Sequence, residues 1–217
     1  MIRVFSHNDL LFMLRGAGMT LMLTAITAFG GLVFGLVLGL LKTFPHSKIA
    51  NAIGALYTYV FRGTPLLLQI FIFYFGLPIL GFDTSPLQSV SIALVAYSSA
   101  YIGEILRGSI QSIDKGQWEA SASLAFTYWQ QMRRVILPQA FKISIPPLVG
   151  FLVSIIKGTS LTSIVGYIEL TKSGTIVLQA TYQPFLVYAI VCLFYFALCY
   201  PLSLLGSRLE RRFIPSA

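Results

Sequence analysis

The sequence predicts an all-α polytopic membrane protein that forms a single domain over residues 1–217. Hydrophobic residues make up 56% of the chain and mean hydropathy is +0.81, while only 10% of the residues are charged. A soluble globular domain carries about 25% charged residues. Five long apolar stretches, separated by more polar connections, complete the pattern. We therefore expect five transmembrane helices, with a cytoplasmic two-helix segment at about 111–142 between the third and the fourth.

Each of the five stretches reaches the length that a membrane-spanning helix requires. A hydrocarbon core about 30 Å thick takes about 20 mostly apolar residues per helix. The stretches cover residues 16–41, 52–80, 87–110, 143–165 and 184–206. A membrane barrel would instead alternate apolar and polar residues in segments of about ten. These continuous runs therefore favour helices over a barrel.

The second stretch is overlong, and Gly63, Pro65 and Pro78 interrupt it. Glycine permits unusual backbone dihedrals and proline lacks an N–H donor, so we expect kinks or an unwound turn. Irregular backbone at membrane depth is tolerated where it lines a cavity. The second span is therefore predicted to expose polar backbone to such a cavity.

The basic residues predict the orientation of the chain in the membrane. Of the 15 lysines and arginines, those that flank the spans lie mostly on one side. They are Lys42, Lys48, Arg107, Lys115, Arg133, Arg134, Lys142, Arg208, Arg211 and Arg212. The positive-inside rule places that side in the cytoplasm, with the N-terminus outside. The net charge of +8 follows from this topology, and no aromatic-basic platform indicates nucleic acid.

The polar segment at 111–142 contains signals for two short helices. Asp114 can cap the first, which would run to about residue 125, and Thr127 with Gln130 fits a capping box at the start of the second. Pro138 is expected to end the second helix. Small residues from Ala120 onward allow close approach of a partner groove. The alternative is an amphipathic hairpin resting on the membrane surface.

The sequence gives little indication of a catalytic or metal-binding site. The sequence has no GxSxG, no HExxH and no paired acids that would suit an intramembrane enzyme. His7 and His46 are isolated from other ligands, so we expect no metal site. A stand-alone secondary transporter or channel for small polar solutes stays open as an alternative. An odd number of spans, five, together with a long cytoplasmic segment fits one subunit of a two-subunit transporter better than a stand-alone transporter.

One stretch of the polar segment carries a family resemblance. The residues EASASLAFTYWQQMRRVILPQ, at 119–139, resemble the cytoplasmic coupling loop of ABC importer permeases, where E-A-A is followed by a glycine and later by a leucine-proline pair. Four residues match that pattern: Glu119, Ala120, Leu137 and Pro138. Ser121 replaces the third residue of E-A-A, and Ala125 stands where glycine is usual.

Further stretches narrow the resemblance to the polar amino acid uptake branch, which has histidine-, glutamine-, arginine- and cystine-type members. They include FRGTPLLLQIFIFYFGLP at 61–78, AYIGEILRGSI at 100–110, DKGQWEA at 114–120 and KGTSLTSIVGYIEL at 157–170. The resemblance extends in order over nearly the whole chain.

The resemblance implies a translocation subunit that works with partners in a bacterial inner membrane. A second permease subunit completes the path as a homodimer or heterodimer. Two cytoplasmic ABC ATPases dock on the permeases, and an extracytoplasmic binding protein delivers the amino acid. The chain lacks a GxxxxGK(S/T) phosphate loop, so ATP and Mg are expected on the ATPase. We expect no cofactor and no catalytic residue in this chain.

The resemblance also assigns roles within the coupling loop. Glu119 would be the polar anchor for the ATPase, Ala120 and Ser123 the close-contact face, and Leu124 an apolar plug. Alanine tolerates left-handed backbone angles poorly. The geometry of the turn at Ala125 is therefore left open by the sequence.

Ionisable residues within the predicted spans are the candidates for substrate contact, because such groups usually face a wet cavity. Arg62 can hold a carboxylate bidentately, Glu104 can accept an ammonium, and Lys157 adds a second cation. Thr159 and Ser160 can add neutral hydrogen bonds. The structural alternative is that Arg62 and Glu104 pair with each other or with backbone carbonyls at the broken helix.

Two departures from the resembled family bear on substrate choice. Relatives commonly read K-D-T-S-L where this chain has Gly158 after Lys157, and Gly150 stands where asparagine is usual. A substrate with a cationic side chain would therefore find one carboxylate fewer in this chain than in those relatives. We therefore expect a slight preference against basic amino acids.

Overall fold

The computed structural model describes residues 4–43 and 48–213, and the regular secondary structure in these ranges is helical. His46 lies outside the described residues. In chain order the helices are α1 (His7–Thr43), α2 (Lys48–Gly63), α3 (Leu66–Ile79), α4 (Pro86–Gln111), α5 (Lys115–Ser123), α6 (Tyr128–Gln131), α7 (Leu137–Gly158), α8 (Leu170–Thr181) and α9 (Pro184–Phe213). A π-helical turn, Met132–Ile136, joins α6 to α7, and a 3₁₀ helix, Thr159–Val165, follows α7.

The expectation of five spans is confirmed if one bent pair of helices counts as a single span. Four helical segments are long and apolar enough to cross a membrane: α1, α4, Tyr128–Val165 and α9. Helices α2 and α3 pass the same test together and are bent by 105° at the break between them. The break falls at Gly63 and Pro65, as predicted, whereas Pro78 lies inside α3 without interrupting it.

The most extensive helix contact joins α1 to α4. A Cβ built on Gly35 would lie 2.8 Å from the Cβ of Ile102, and one built on Gly103 would lie 3.1 Å from the carbonyl oxygen of Gly35. Only glycine allows the two backbones to approach this closely. Small residues are the usual means of helix packing in lipid, where apolar side chains gain little from leaving the solvent.

The polar segment begins as predicted and ends differently. The Asp114 side chain accepts a hydrogen bond from the N–H of Gly116, and Thr127 and Gln130 form the capping box of α6. The expected end at Pro138 was wrong, because the π turn continues α6 directly into α7. Proline is accepted there because it occupies the start of α7, where its missing N–H breaks no bond of an established α-helix.

The connection at 166–183 contains helix α8, which the sequence analysis did not predict. Glu169 caps α8, accepting hydrogen bonds from the N–H of Thr171 at 2.9 Å and of Lys172 at 2.8 Å. The Tyr195 hydroxyl on α9 donates to the same carboxylate at 2.8 Å, and the Thr20 hydroxyl on α1 lies at 3.4 Å. Glu169 is fully buried. Burial raises the pKa of its carboxyl, while these hydrogen bonds favour the ionised form.

Replacing Glu169 should test how strongly this cap holds α8 against α1 and α9. Glu169→Ala leaves several buried donors without an acceptor, so we expect the free energy of unfolding to fall by about 2 kcal/mol or more. Glu169→Gln keeps one acceptor oxygen and should cost less. Thermal unfolding of the detergent-solubilised protein measures both. Glu210→Ala, at an exposed glutamate of α9, is the control, and equal unfolding temperatures for all three variants would contradict the capping role.

Candidate functional site

The break between α2 and α3 lies beside a cluster of aromatic rings. Arg62, in the last turn of α2, is exposed and places its guanidinium 5.1 Å from the centroid of the Tyr101 ring on α4. Tyr101 packs 4.6 Å from Tyr97 and stacks on Phe151 of α7 at 5.2 Å. A guanidinium over a tyrosine face is held by a cation–π interaction. The ring contact orients the guanidinium, and no hydrogen bond to its donors is seen among the described residues.

The sequence analysis missed these aromatic residues. The signal that could have found Tyr97 and Tyr101 is their spacing of four residues, which puts both on one face of α4. Phe151 carries no such local signal, because its place in the cluster depends on how α7 packs against α4.

The segment from Lys157 to Ser160 also lies at the break. A Cβ on Gly158 would lie 3.4 Å from the Leu66 side chain at the start of α3. The Lys157 side chain is exposed, whereas Thr159 is fully buried and its hydroxyl donates to the carbonyl of Ile156 at 2.7 Å. The Ser160 hydroxyl donates to the carbonyl of Lys157 at 2.7 Å. Lys157 is thus the accessible member of this group, and the two hydroxyls bond the local backbone.

Glu104 pairs with two other cations and not with Arg62. Its Oε2 lies 2.6 Å from Nζ of Lys42 at the end of α1, and its Oε1 accepts from Nε of Arg107 at 2.6 Å. Lys42 also donates to the Thr58 hydroxyl on α2 at 3.1 Å. The carboxylate therefore joins α1 and α4, and through Lys42 reaches α2. An ammonium ligand would share Glu104 with these two cations or displace one of them.

A second candidate surface lies on and just after α5. All five residues predicted to contact an ATPase are exposed: Glu119, Ala120, Ser123, Leu124 and Ala125. We call these five residues the docking surface, after the ATPase contact that the sequence predicts for them. Leu124 is 70% exposed, so its apolar side chain stands at the surface of the turn that follows α5.

The turn after α5 has a defined geometry. Ala125 adopts a left-handed conformation with φ 56°. Its N–H donates to the carbonyl of Ala122 at 2.9 Å, and the N–H of Phe126 donates to the carbonyl of Ser121 at 3.3 Å. This pair of bonds is the Schellman motif, in which glycine is the usual left-handed residue. Alanine here keeps the turn at some cost in backbone strain.

The docking surface is attached firmly to the spans. Buried apolar side chains join the end of α4 to the π turn and α7, and they are Ile110, Ile113, Met132, Ile136 and Ala140. Trp118 of α5 stacks on Tyr128, whose hydroxyl donates to the carbonyl of Thr43 at the end of α1. Trp118 is therefore partly buried against this apolar cluster, whereas Trp129 remains 61% exposed.

Four long apolar helices and one broken pair give the chain the form of a multi-pass membrane protein. The chain belongs to the family of binding-protein-dependent transport system inner membrane components, whose model matches residues 31–215. This family assigns the chain to a transporter of several components in the inner membrane. A stand-alone transporter or channel is therefore not supported.

Similar proteins share this assignment. The chain is 39% identical over 193 residues to the probable glutamine ABC transporter permease protein GlnM of Bacillus subtilis (strain 168), covering 89% of each chain. It is 38% identical over 205 residues to the arginine transport system permease protein ArtQ of the same organism, covering 93% of this chain and 92% of ArtQ. The crystal structure of an amino acid ABC transporter with histidines matches with a TM-score of 0.88 and 34% identity, over 97% of this chain and 100% of that chain.

Substituting Ala125 should reveal the strain in the turn after α5. Ala125→Gly removes the Cβ that strains the left-handed conformation. We therefore expect the folded state to be stabilised by about 1 kcal/mol, without loss of transport. Ala122→Gly, inside α5, should instead destabilise by about 1 kcal/mol. Hydrogen exchange of the α5 amides in the purified protein compares the two variants. Faster exchange in Ala125→Gly would contradict the strained turn.

Proposed function

We propose that this chain is the translocation subunit of an ATP-driven importer for polar amino acids. The observation that carries this proposal is the exposed docking surface, which is joined by buried side chains to α4 and α7. The names of the similar proteins, which include glutamine and arginine permeases, support an amino acid as the cargo.

The importer would contain partners that supply what this chain lacks. A second permease subunit, identical or different, completes the path. Two cytoplasmic ABC ATPases bind ATP and Mg and perform the hydrolysis, so this chain is not itself an enzyme. An extracytoplasmic binding protein delivers the amino acid. The N-terminus would lie outside and the C-terminus in the cytoplasm, following the distribution of basic residues.

Movement would pass from the ATPase to the spans through α5. ATP binding changes the spacing of two ATPases, and a helix seated in each one follows that change. Since α5 packs on the π turn, and Tyr128 bonds the end of α1, the ends of α1, α4 and α7 would move with it. Two arrangements of the spans then give two access states.

The broken span would form the place where the amino acid is bound in passage. Arg62 and Lys157 present exposed cations to the substrate carboxylate, with Thr159 and Ser160 as neutral partners after local rearrangement. Glu104 would receive the ammonium beside Lys42 and Arg107, or in a state that releases one of them. In the present arrangement Glu104 would instead hold three helices around the path.

The substrate preference would follow from the missing acid at Gly158. This glycine lies against Leu66 at the break, close to where a substrate side chain would pass. A carboxylate at this position would attract a cationic side chain, and the chain lacks it. Uncharged polar amino acids are therefore the favoured class.

Reversing the charge of Glu119 tests the coupling assignment. In Glu119→Lys, we expect loss of ATPase docking and at least a tenfold loss of ATP-driven amino acid uptake, because the proposed anchor would present the opposite charge to the ATPase. Uptake of a mixed amino acid pool into vesicles holding the reconstituted complex measures the effect and identifies the substrate.

Glu210→Lys is the matched control, since the same change is made at an exposed glutamate away from the docking surface. Normal docking and uptake in Glu119→Lys would overturn the coupling assignment. Uptake by the wild type without any ATPase would overturn the importer itself.

Replacing Arg62 tests the proposed carboxylate contact. Arg62→Lys keeps the charge but loses the planar pair of donors, so we expect about a tenfold loss of uptake or more at saturating loaded binding protein. Lys142→Ala, at an exposed cation of α7, is the control. Wild-type uptake by Arg62→Lys, with unchanged discrimination between amino acids, would show that Arg62 does not hold the substrate.

A further inference from the structure

The break between α2 and α3 creates a carbonyl that lacks its ordinary partner. In an α-helix the carbonyl of Phe61 would accept from the N–H of the residue four positions later, which is Pro65. Proline has no N–H. A backbone carbonyl at membrane depth needs a partner, either another group of the protein or water in a cavity. At Phe61 the protein itself provides one.

The side chain of Gln69 supplies that donor. Its Nε2 donates to the carbonyl of Phe61 at 2.8 Å and lies 3.2 Å from the carbonyl of Thr64 and 2.9 Å from the Thr64 hydroxyl oxygen. The Thr64 hydroxyl donates in turn to the carbonyl of Val60 at 2.8 Å. The amide thus reaches from the first turn of α3, where the N–H of Gln69 bonds the Pro65 carbonyl, back to the last turn of α2.

The surroundings of Gln69 indicate that the N–H donors of its amide, and not the acceptor oxygen, explain a glutamine at this position. The side chain is buried, with 4% of the residue exposed. Its acceptor oxygen, Oε1, is also buried and has no hydrogen-bond partner within the described part of the chain. An unpaired buried acceptor is costly, and an apolar side chain would avoid this cost. Glutamine at this position is therefore explained by the N–H groups that face the break.

We propose that Gln69 is a positioning residue of the translocation path, whose amide replaces the N–H missing at Pro65 and holds the 105° angle between α2 and α3. That angle sets where Arg62, at the end of α2, stands relative to α3 and to Gly158, which packs against Leu66 at the start of α3. The consequence for transport rests on the proposed role of Arg62. The effect on the angle itself does not.

Removing the donors and then restoring one tests this inference. Gln69→Leu keeps a side chain of similar volume and removes both N–H donors. Adding Pro65→Ala to that variant returns a backbone N–H at the position that Phe61 would use. Leu68→Ala, an exposed neighbour on α3, is the matched control. All variants are reconstituted as complexes with the ATPase and the binding protein.

Two measurements are made on each variant. Spin labels on Tyr59→Cys and Ile72→Cys, both at exposed positions, report the distance between α2 and α3 in a background carrying Cys192→Ser and Cys199→Ser. In Gln69→Leu we expect a broadened distance distribution and about a tenfold loss of uptake. In the double variant the distribution should narrow and uptake should recover severalfold. Leu68→Ala should match the wild type in both.

An unchanged distance distribution in Gln69→Leu would overturn the inference, as would a broadened one that Pro65→Ala does not narrow. If Gln69→Leu fails to assemble, assembly of the double variant takes the place of the distance measurement. Recovery of assembly supports the donor role, and its absence overturns it. If the wild type shows no ATP-driven uptake, the proposed function fails, while the distance comparison still decides the role of Gln69.

Discussion

Direct contact between the backbones of α1 and α4 is the interaction on which the remaining arrangement depends. In lipid, apolar side chains gain nothing from hydrophobic burial, so helices associate by close packing and hydrogen bonds. Gly35 and Gly103 bring the two helices together without intervening side chains. This contact sets Lys42 opposite Glu104 and places Tyr101 on the face where Arg62 and Phe151 meet it.

The second constraint is that each polar backbone group in the hydrocarbon region must find a partner in the protein. The chain departs from regular α-helix at Pro65, in the second span, and just before Pro138, in the polar segment that leads into α7. At Pro65 the helix breaks, and a side-chain amide from Gln69 pairs with the carbonyl of Phe61. At Pro138 the helix continues, because a π turn precedes the proline. One proline therefore makes a bend that exposes a cation, and the other preserves a continuous helix.

That continuous helix connects the two candidate surfaces. Helix α7 begins at the π turn, against which α5 packs, and ends at Gly158, which lies against Leu66 beside the broken span. Between these ends it contributes Phe151 to the aromatic cluster under Arg62. Helix α7 is therefore the element that connects the region of α5 to the break. The Glu104 ion pairs would resist a displacement of α5 until the helices separate.

The sequence by itself determined the features that depend on neighbouring residues. Hydropathy predicted the spans, Gly63 and Pro65 predicted the break, and Asp114 and Thr127 predicted the caps of α5 and α6, because each signal acts within about four residues. The period of buried residues in α8, from Leu170 to Thr181, carried a local signal that was missed.

Only the tertiary structure decided the partners of the polar residues. Glu104 meets a lysine 62 residues away in sequence, and Phe151 meets Tyr101 through the packing of α7 on α4. The π turn that carries the chain past Pro138 is likewise coupled to the apolar core beneath α5. Such choices depend on which helix faces come together, and no local pattern encodes that. The sequence therefore named the charged residues in the spans, while the fold decided which of them are paired and which remain exposed.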